Sequence, residues 1–313
     1  MEPNLTGASL MNRRRAIAAL ASTMTLPLIS RCTREQTPAS PVTAEADALA
    51  LLDQLAENLL RLAPESATSL GIDIGARASL RSQLADRSAQ GQERISSQLG
   101  ADLKRANAFD TSGLSYATRT SIEVVRSAYA TSLDGFALPY GDVPVGGWRN
   151  TPYVVIQNVG AYLDIPRFLD SDHRIENGAD AEAYLARLQS YAKQLDGELG
   201  RMQAARAAGL VPPAFLIDKA LEQMSLSAKN ARLGGTLVES IERRTKNIPG
   251  PWVERARTIA AREVAPALER QLGELRTQRA VATNDAGMWA RPRGDEYYEW
   301  ALKGATTTTM SPD

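Results

Sequence analysis

Asp180-Ala181-Glu182-Ala183-Tyr184-Leu185-Ala186-Arg187-Leu188-Gln189-Ser190-Tyr191-Ala192-Lys193-Gln194-Leu195-Asp196-Gly197-Glu198-Leu199-Gly200-Arg201-Met202 carries the clearest periodicity in the chain. Tyr184, Leu188, Tyr191, Leu195, Leu199 and Met202 recur at three and four residues, which lines one side of an α-helix with apolar groups. Gly209 supplies a C-terminal stop and Pro212-Pro213 bars continuation. Proline suits a first helical position, so Pro213 opens a second helix carrying Ile217, Leu221 and Met224.

The same reading extends in both directions. Towards the C-terminus, Ile248-Pro249-Gly250-Pro251 is a turn. A long helix with Val253, Ala256, Ala260, Val264, Leu268 and Leu275 follows it. Pro266 falls inside that helix and should kink it, because it lacks a donor and crowds the preceding turn. Arg291-Pro292-Arg293-Gly294 is a loop leading into Asp295–Leu302. Towards the N-terminus, Pro139, Gly141, Pro144, Gly146, Gly147 and Pro152 exclude a helix. Tyr153-Val154-Val155-Ile156 then reads as a short strand or as the start of a buried helix. Leu114, Thr118, Ile122, Val125, Tyr129 and Leu133 mark another long helix, and Ile95, Leu99 and Leu103 one more. Pro64 opens a short helix closed by Gly71, and Leu49, Leu52, Ala56 and Leu59 give an apolar face before it.

Composition agrees with a helical protein. Aromatic residues make up 5% of the 313, too few for a sandwich or barrel. The helices follow no fixed period, so the chain is not a repeat array. The fold expected is all-α: a multi-helix domain of long antiparallel helices, with room for one short strand or hairpin near 138–157.

Several functions are excluded. Lys and Arg number 36, as do Asp and Glu, so the basic excess of a nucleic-acid protein is missing. Cys32 is the one cysteine and His173 the one histidine, too few for a His/Cys zinc site of three or four ligands. No G-x-S-x-G elbow or phosphate loop occurs. Asp172-His173 reads as a solvated loop pair beyond a helix end, since adjacent residues do not share a helix face. Glu239, Glu242, Arg243 and Arg244 read as a salt-bridged surface.

The first forty residues read as an address. Arg13-Arg14-Arg15 precede the apolar run Ala16–Ile29, the n- and h-regions of a signal peptide over 1–31. Paired arginines point to the twin-arginine route. Cys32 is a candidate lipidation site in Ile29-Ser30-Arg31-Cys32, although Arg31 stands where a small residue is wanted. Cleavage after Val42-Thr43-Ala44 is the alternative. Residues 32–44 then form a flexible tether, and 45–313 the helical domain. Membrane contact is expected only through the signal peptide or a lipid anchor. At the other end, Ser311-Pro312-Asp313 is a helix-start signature with nothing after it, so the domain is expected to be truncated there.

Four stretches in order carry a resemblance: Pro64–Gly71; Gly147-Trp148-Arg149-Asn150-Thr151-Pro152-Tyr153-Val154-Val155-Ile156-Gln157; Ala161–Leu169; and Gly294-Asp295-Glu296-Tyr297-Tyr298 with Thr306–Thr309 and Ser311-Pro312-Asp313. Together they resemble the exported bacterial "domain of unknown function 885" proteins, which are largely helical and similar to zinc metallopeptidases of the zincin kind. The resemblance implies an incomplete half of a larger zincin-like fold. It places the zinc, its histidines and the catalytic glutamate in a C-terminal half that this sequence does not reach. No catalytic or metal residue carries over, and no cofactor is expected in this chain.

The function expected is therefore the N-terminal, non-catalytic portion of an exported zinc-metallopeptidase-like hydrolase. It would supply one wall of a peptide cleft, with peptide substrate as partner, and be inactive alone. The alternative is a stand-alone, non-catalytic envelope module binding a peptide or protein. Trp148 and Arg149, in a Gly/Pro-rich loop, and Tyr297 and Tyr298, opening the last helix, are the candidate cleft residues. Aromatics closing the core beneath loops are the plainer reading of the same four positions.

Overall fold

The computed structural model describes residues 41–145 and 150–311, all within one unit, Ser40–Asp313. Among the described residues the order is α1 (Pro41–Leu62), α2 (Pro64–Ser69), a 3-10 stretch (Gly75–Ser82), α3 (Ala89–Ala108), α4 (Tyr116–Phe136), α5 (Ala161–Ser171) and α6 (Gly178–Ala207). Then follow α7 (Ala214–Leu233), α8 (Thr236–Arg244), α9 (Trp252–Ile259), a π turn (Ala260–Val264), α10 (Ala265–Val281), a 3-10 turn (Met288–Ala290) and α11 (Gly294–Thr306). The fold is all helical, as the periodicity requires. Among the described residues no helix is long and apolar enough to cross a membrane.

Helix α6 is the axis. Asn177 caps it by accepting from the Asp180 amide at 3.1 Å. It packs against α5, α9, α10 and the first 3-10 stretch. Its stripe Tyr184, Leu188, Tyr191, Leu195 and Met202 is buried in the main core with Ile217 and Met224 of α7 and Leu268 and Leu275 of α10. A second layer, α1, α3 and α4, closes over smaller clusters around Ala48, Leu114 and Ile122, and around Leu51, Leu55 and Ala106.

Pro266 acts through the turn ahead of it. It has no N–H for the Arg262 carbonyl, and the helix widens to a π turn over Ala260–Val264 before resuming as α10. A second proline, Pro166, sits inside α5.

Five expectations need correction. Among the described residues no strand forms over 138–157. Asp142 pairs with Thr151 in a single antiparallel bridge and Ile156 with Val159 in another, while Tyr153, Val154, Val155 and Ile156 are all buried. Prolines at 139, 144 and 152 remove the donors a ladder needs. Helix α1 begins at Pro41, inside the stretch read as tether, because proline is well placed at a helix start. Its buried face is Ala48, Leu51, Leu55 and Asn58, while Leu49 is exposed: leucines flank the stripe on both sides and hide its phase. His173 is buried rather than solvated, and Arg244 turns inward to the carbonyls of Leu169 and His173. Cys32, Arg13–Arg15 and the rest of 1–40 lie outside the described residues, as do Pro312 and Asp313.

Candidate functional site

Helix α11 is seated on α4 by one aromatic residue. Trp300 is buried and its Nε1 donates to the Thr131 carbonyl at 2.7 Å. The approach requires Gly135: a Cβ there would sit 2.1 Å from the Trp300 ring. Lys303 reaches Asp134 at 3.2 Å on the outside. The start of the Gly/Pro-rich segment after α4 is bound to the same helix, since Tyr140 stacks on Tyr297 with centroids 4.2 Å apart and donates to the Pro292 carbonyl at 2.8 Å. Arg291 donates to the Tyr153 hydroxyl at 2.9 Å.

Between α4, α11 and this segment lies an open groove of about 640 Å³. Its floor is Val124, Ala128 and Trp300. Hydroxyls of Thr131 and Thr307 and the Asn150 amide line its walls. Asn150 Oδ1 is buried without a hydrogen-bond partner. An apolar floor with few polar groups is the usual composition of a ligand site.

The candidate residues divide. Trp148 and Arg149 lie outside the described residues, and Asn150, next in the chain, lines the groove. Tyr297 is buried beneath the groove and fastens it; burial raises its hydroxyl above the ordinary tyrosine value. Tyr298 is 51% exposed and lies off the lining. Tyr297→Ala should therefore cost about 3 kcal/mol in a urea melt, and Tyr298→Ala under about 0.5 kcal/mol. Equal costs would show that the stack does not secure α11.

Two polar clusters that the sequence reading passed over lie on α6. Glu198, fully buried, accepts from the Ala161 amide at 2.9 Å, from Arg87 at 3.0 Å and from Gln271 at 3.2 Å. It thereby caps α5, whose N-cap Gly160 has φ +129 and no side chain to do so. Burial pushes the Glu198 carboxyl up against the pull of Arg87. Arg187, also fully buried, binds His173, Thr68 and the carbonyls of Leu80 and Gln83. Burial pushes its guanidinium down to about 10.

Neither cluster fits a catalytic zinc. Both ring nitrogens of His173 are engaged, by Arg187 and by the Asp180 carbonyl. Among the described residues no three His, Cys, Asp or Glu side chains converge on a metal position.

No curated protein matches the sequence. The fold matches the crystal structure of "the putative lipoprotein from Colwellia psychrerythraea", with a TM-score of 0.77 at 17% identity. The match covers 86% of this chain and 47% of that one, so the chain spans about half the length of its structural relative. Residues 64–313 match the family model described as bacterial protein of unknown function (DUF885), and the chain belongs to that family.

Proposed function

We propose that this chain is the N-terminal, non-catalytic portion of an exported zinc-metallopeptidase-like hydrolase, and that the α4–α11 groove is one wall of its peptide cleft. The observation that carries the reading is the groove itself: an apolar floor with threonine and asparagine side chains around it suits an extended peptide backbone. The match to about half of a longer chain supports a partial role. Export is supported by Arg13–Arg15 and the apolar run behind them.

The test uses the full chain, a fluorescent peptide library and zinc calorimetry. Peptides should bind without being cleaved, and zinc should bind no tighter than about micromolar. Val124→Arg, at an exposed position on the floor, should weaken peptide binding by about tenfold without moving the melt, since a charge there narrows and repolarises the groove. Stoichiometric tight zinc, or chelator-sensitive cleavage by this chain, overturns the non-catalytic assignment. Peptide binding indifferent to Val124→Arg removes the groove from the reading.

A further inference from the structure

We propose that His173 is an acid-sensitive latch: its neutral imidazole, through Arg187, holds residues 64–87 against α6, and its protonation lets that segment go.

The segment is fastened mainly by polar groups. Over 64–87 only Pro64, Ala67 and Leu80 are buried apolar residues. Arg187 does much of the fastening: Nη2 donates to Thr68 Oγ1 at 2.6 Å and to the Leu80 carbonyl at 3.0 Å, and Nε to the Gln83 carbonyl at 3.0 Å. Its Nη1 lies 2.7 Å from His173 Nδ1. A guanidinium has only donors, so Nδ1 must offer its lone pair and the ring proton must sit on Nε2, which donates to the Asp180 carbonyl at 3.0 Å.

Protonation removes that lone pair. Nδ1–H then faces Nη1–H, and the guanidinium must move away from the ring. The same guanidinium holds Thr68, Leu80 and Gln83, so the displacement is transmitted to the segment.

Burial and the two arginines near the ring favour the neutral form, and Asp180 opposes them. From α6 the ring meets Arg187, the Tyr184 ring at 5.6 Å, and Asp180, whose carboxylate is taken by Arg81 at 2.6 Å. From α8, Arg244 donates to the His173 carbonyl. On the 64–87 side, Asp73 is paired with Arg81 at 3.1 Å. On the α5–α6 turn, Asp172 is engaged by Ser69 and Ser171, while Arg174 and Glu176 stand at the rim. No carboxylate among the described residues bonds to the ring. Burial pushes the imidazole down to about 4; the bond to the Asp180 carbonyl and the Asp180 charge oppose the shift, and Arg187 and Arg244 add to it. A cavity of about 210 Å³ lies beside the ring, lined by His173, Thr68, Asp73 and Arg81 among others.

The sign follows from linkage. The folded value lies below that of free histidine, so the hold is complete above about pH 6.5 and is lost as pH falls from there through about 4.

Because the chain has one histidine, imidazole NMR of the full chain reports His173 without assignment. At pH 7 the nitrogen shifts should show the Nε2–H tautomer, and the titration midpoint should fall near pH 4. Amide exchange over 64–87, corrected for intrinsic rates, should accelerate by about a hundredfold relative to α10 between pH 7 and pH 4. In His173→Gln, whose side chain does not titrate, that selective acceleration should vanish. A midpoint near 6.5, the Nδ1–H tautomer, or acceleration shared equally by α10 would each overturn the latch. If His173→Gln does not fold, the NMR titration and exchange of the unaltered chain decide alone.

Discussion

Arg187→Met should lower the unfolding free energy by on the order of 4 kcal/mol, read as a fall in urea midpoint with unchanged slope. Methionine fills much of the volume, so the loss is polar rather than a cavity. Thr68 Oγ1, the carbonyls of Leu80 and Gln83, and His173 Nδ1 all lose a donor together. Each such group left unpaired in the interior costs about 1–3 kcal/mol, less wherever water enters. The stacking of the guanidinium over Phe168, 4.8 Å from the ring centroid, goes as well. Arg187→Lys should recover little. A single ammonium cannot present the planar fork that reaches acceptors on both sides of α6. A loss below about 1 kcal/mol in the methionine variant would show that water replaces the guanidinium at this site.

The helices were legible because their apolar stripes are long. In α6 five of the six periodic positions are fully buried, and Leu199 is half-buried. Gly209 and Pro213 end and restart the helices where expected. The groove was legible only in outline. The Gly/Pro-rich segment and the last helix do meet, through Tyr140, which the reading did not single out, and Tyr297, which it did; Trp300, also not singled out, seats that helix on α4. Trp300 matters because Gly135, far away in sequence, leaves room for its ring, and one sequence does not show such a pairing. The buried polar residues of α6 left a fainter signal. Arg187, Tyr191, Gln194 and Glu198 are spaced by four, three and four residues, so three polar groups share a helix face with a core tyrosine. Polar residues on an apolar face ask for internal partners, but their partners sit on the 64–87 segment, on α5 and the turn after it, and on α10, which no local pattern connects to α6. His173 was misread for the same reason. Its neighbours Asp170, Ser171 and Asp172 look like a solvated loop, and only Arg187 and the Asp180 carbonyl, supplied by the next helix, make burial tolerable.

Glu198→Ala should cost on the order of 3–5 kcal/mol, far more than removal of any surface acid. Its carboxylate is fully buried and serves three elements together: the Ala161 amide at the start of α5, Arg87 at the end of the 64–87 segment, and Gln271 on α10. Alanine leaves the α5 N-terminus without its acceptor, because Gly160 offers no side chain. It also removes one partner of Arg87, whose guanidinium is lowered by burial but raised on balance by Glu198, Asp164 and Asp142. Asp164, at 3.1 Å, remains to hold Arg87, so the charge is weakened in its pairing rather than orphaned. The comparison that isolates burial is Glu182→Ala. Glu182 makes a two-pronged pair with Arg255 at 2.6 and 2.7 Å, better in geometry than the Glu198–Arg87 contact. Both partners are near half-exposed, and water screens and replaces the pair, so its loss should cost under about 1 kcal/mol. Glu198→Gln should fall between the two. It keeps one acceptor for Ala161 or Arg87 and gains an NH2 group with no acceptor of its own. Urea midpoints ordered Glu198→Ala, Glu198→Gln, Glu182→Ala from least to most stable are the expected result. If Glu182→Ala cost as much as Glu198→Ala, ion-pair geometry rather than burial would govern stability here, and the junction of α5, α6 and α10 at Glu198 would lose its place as the polar centre of the fold.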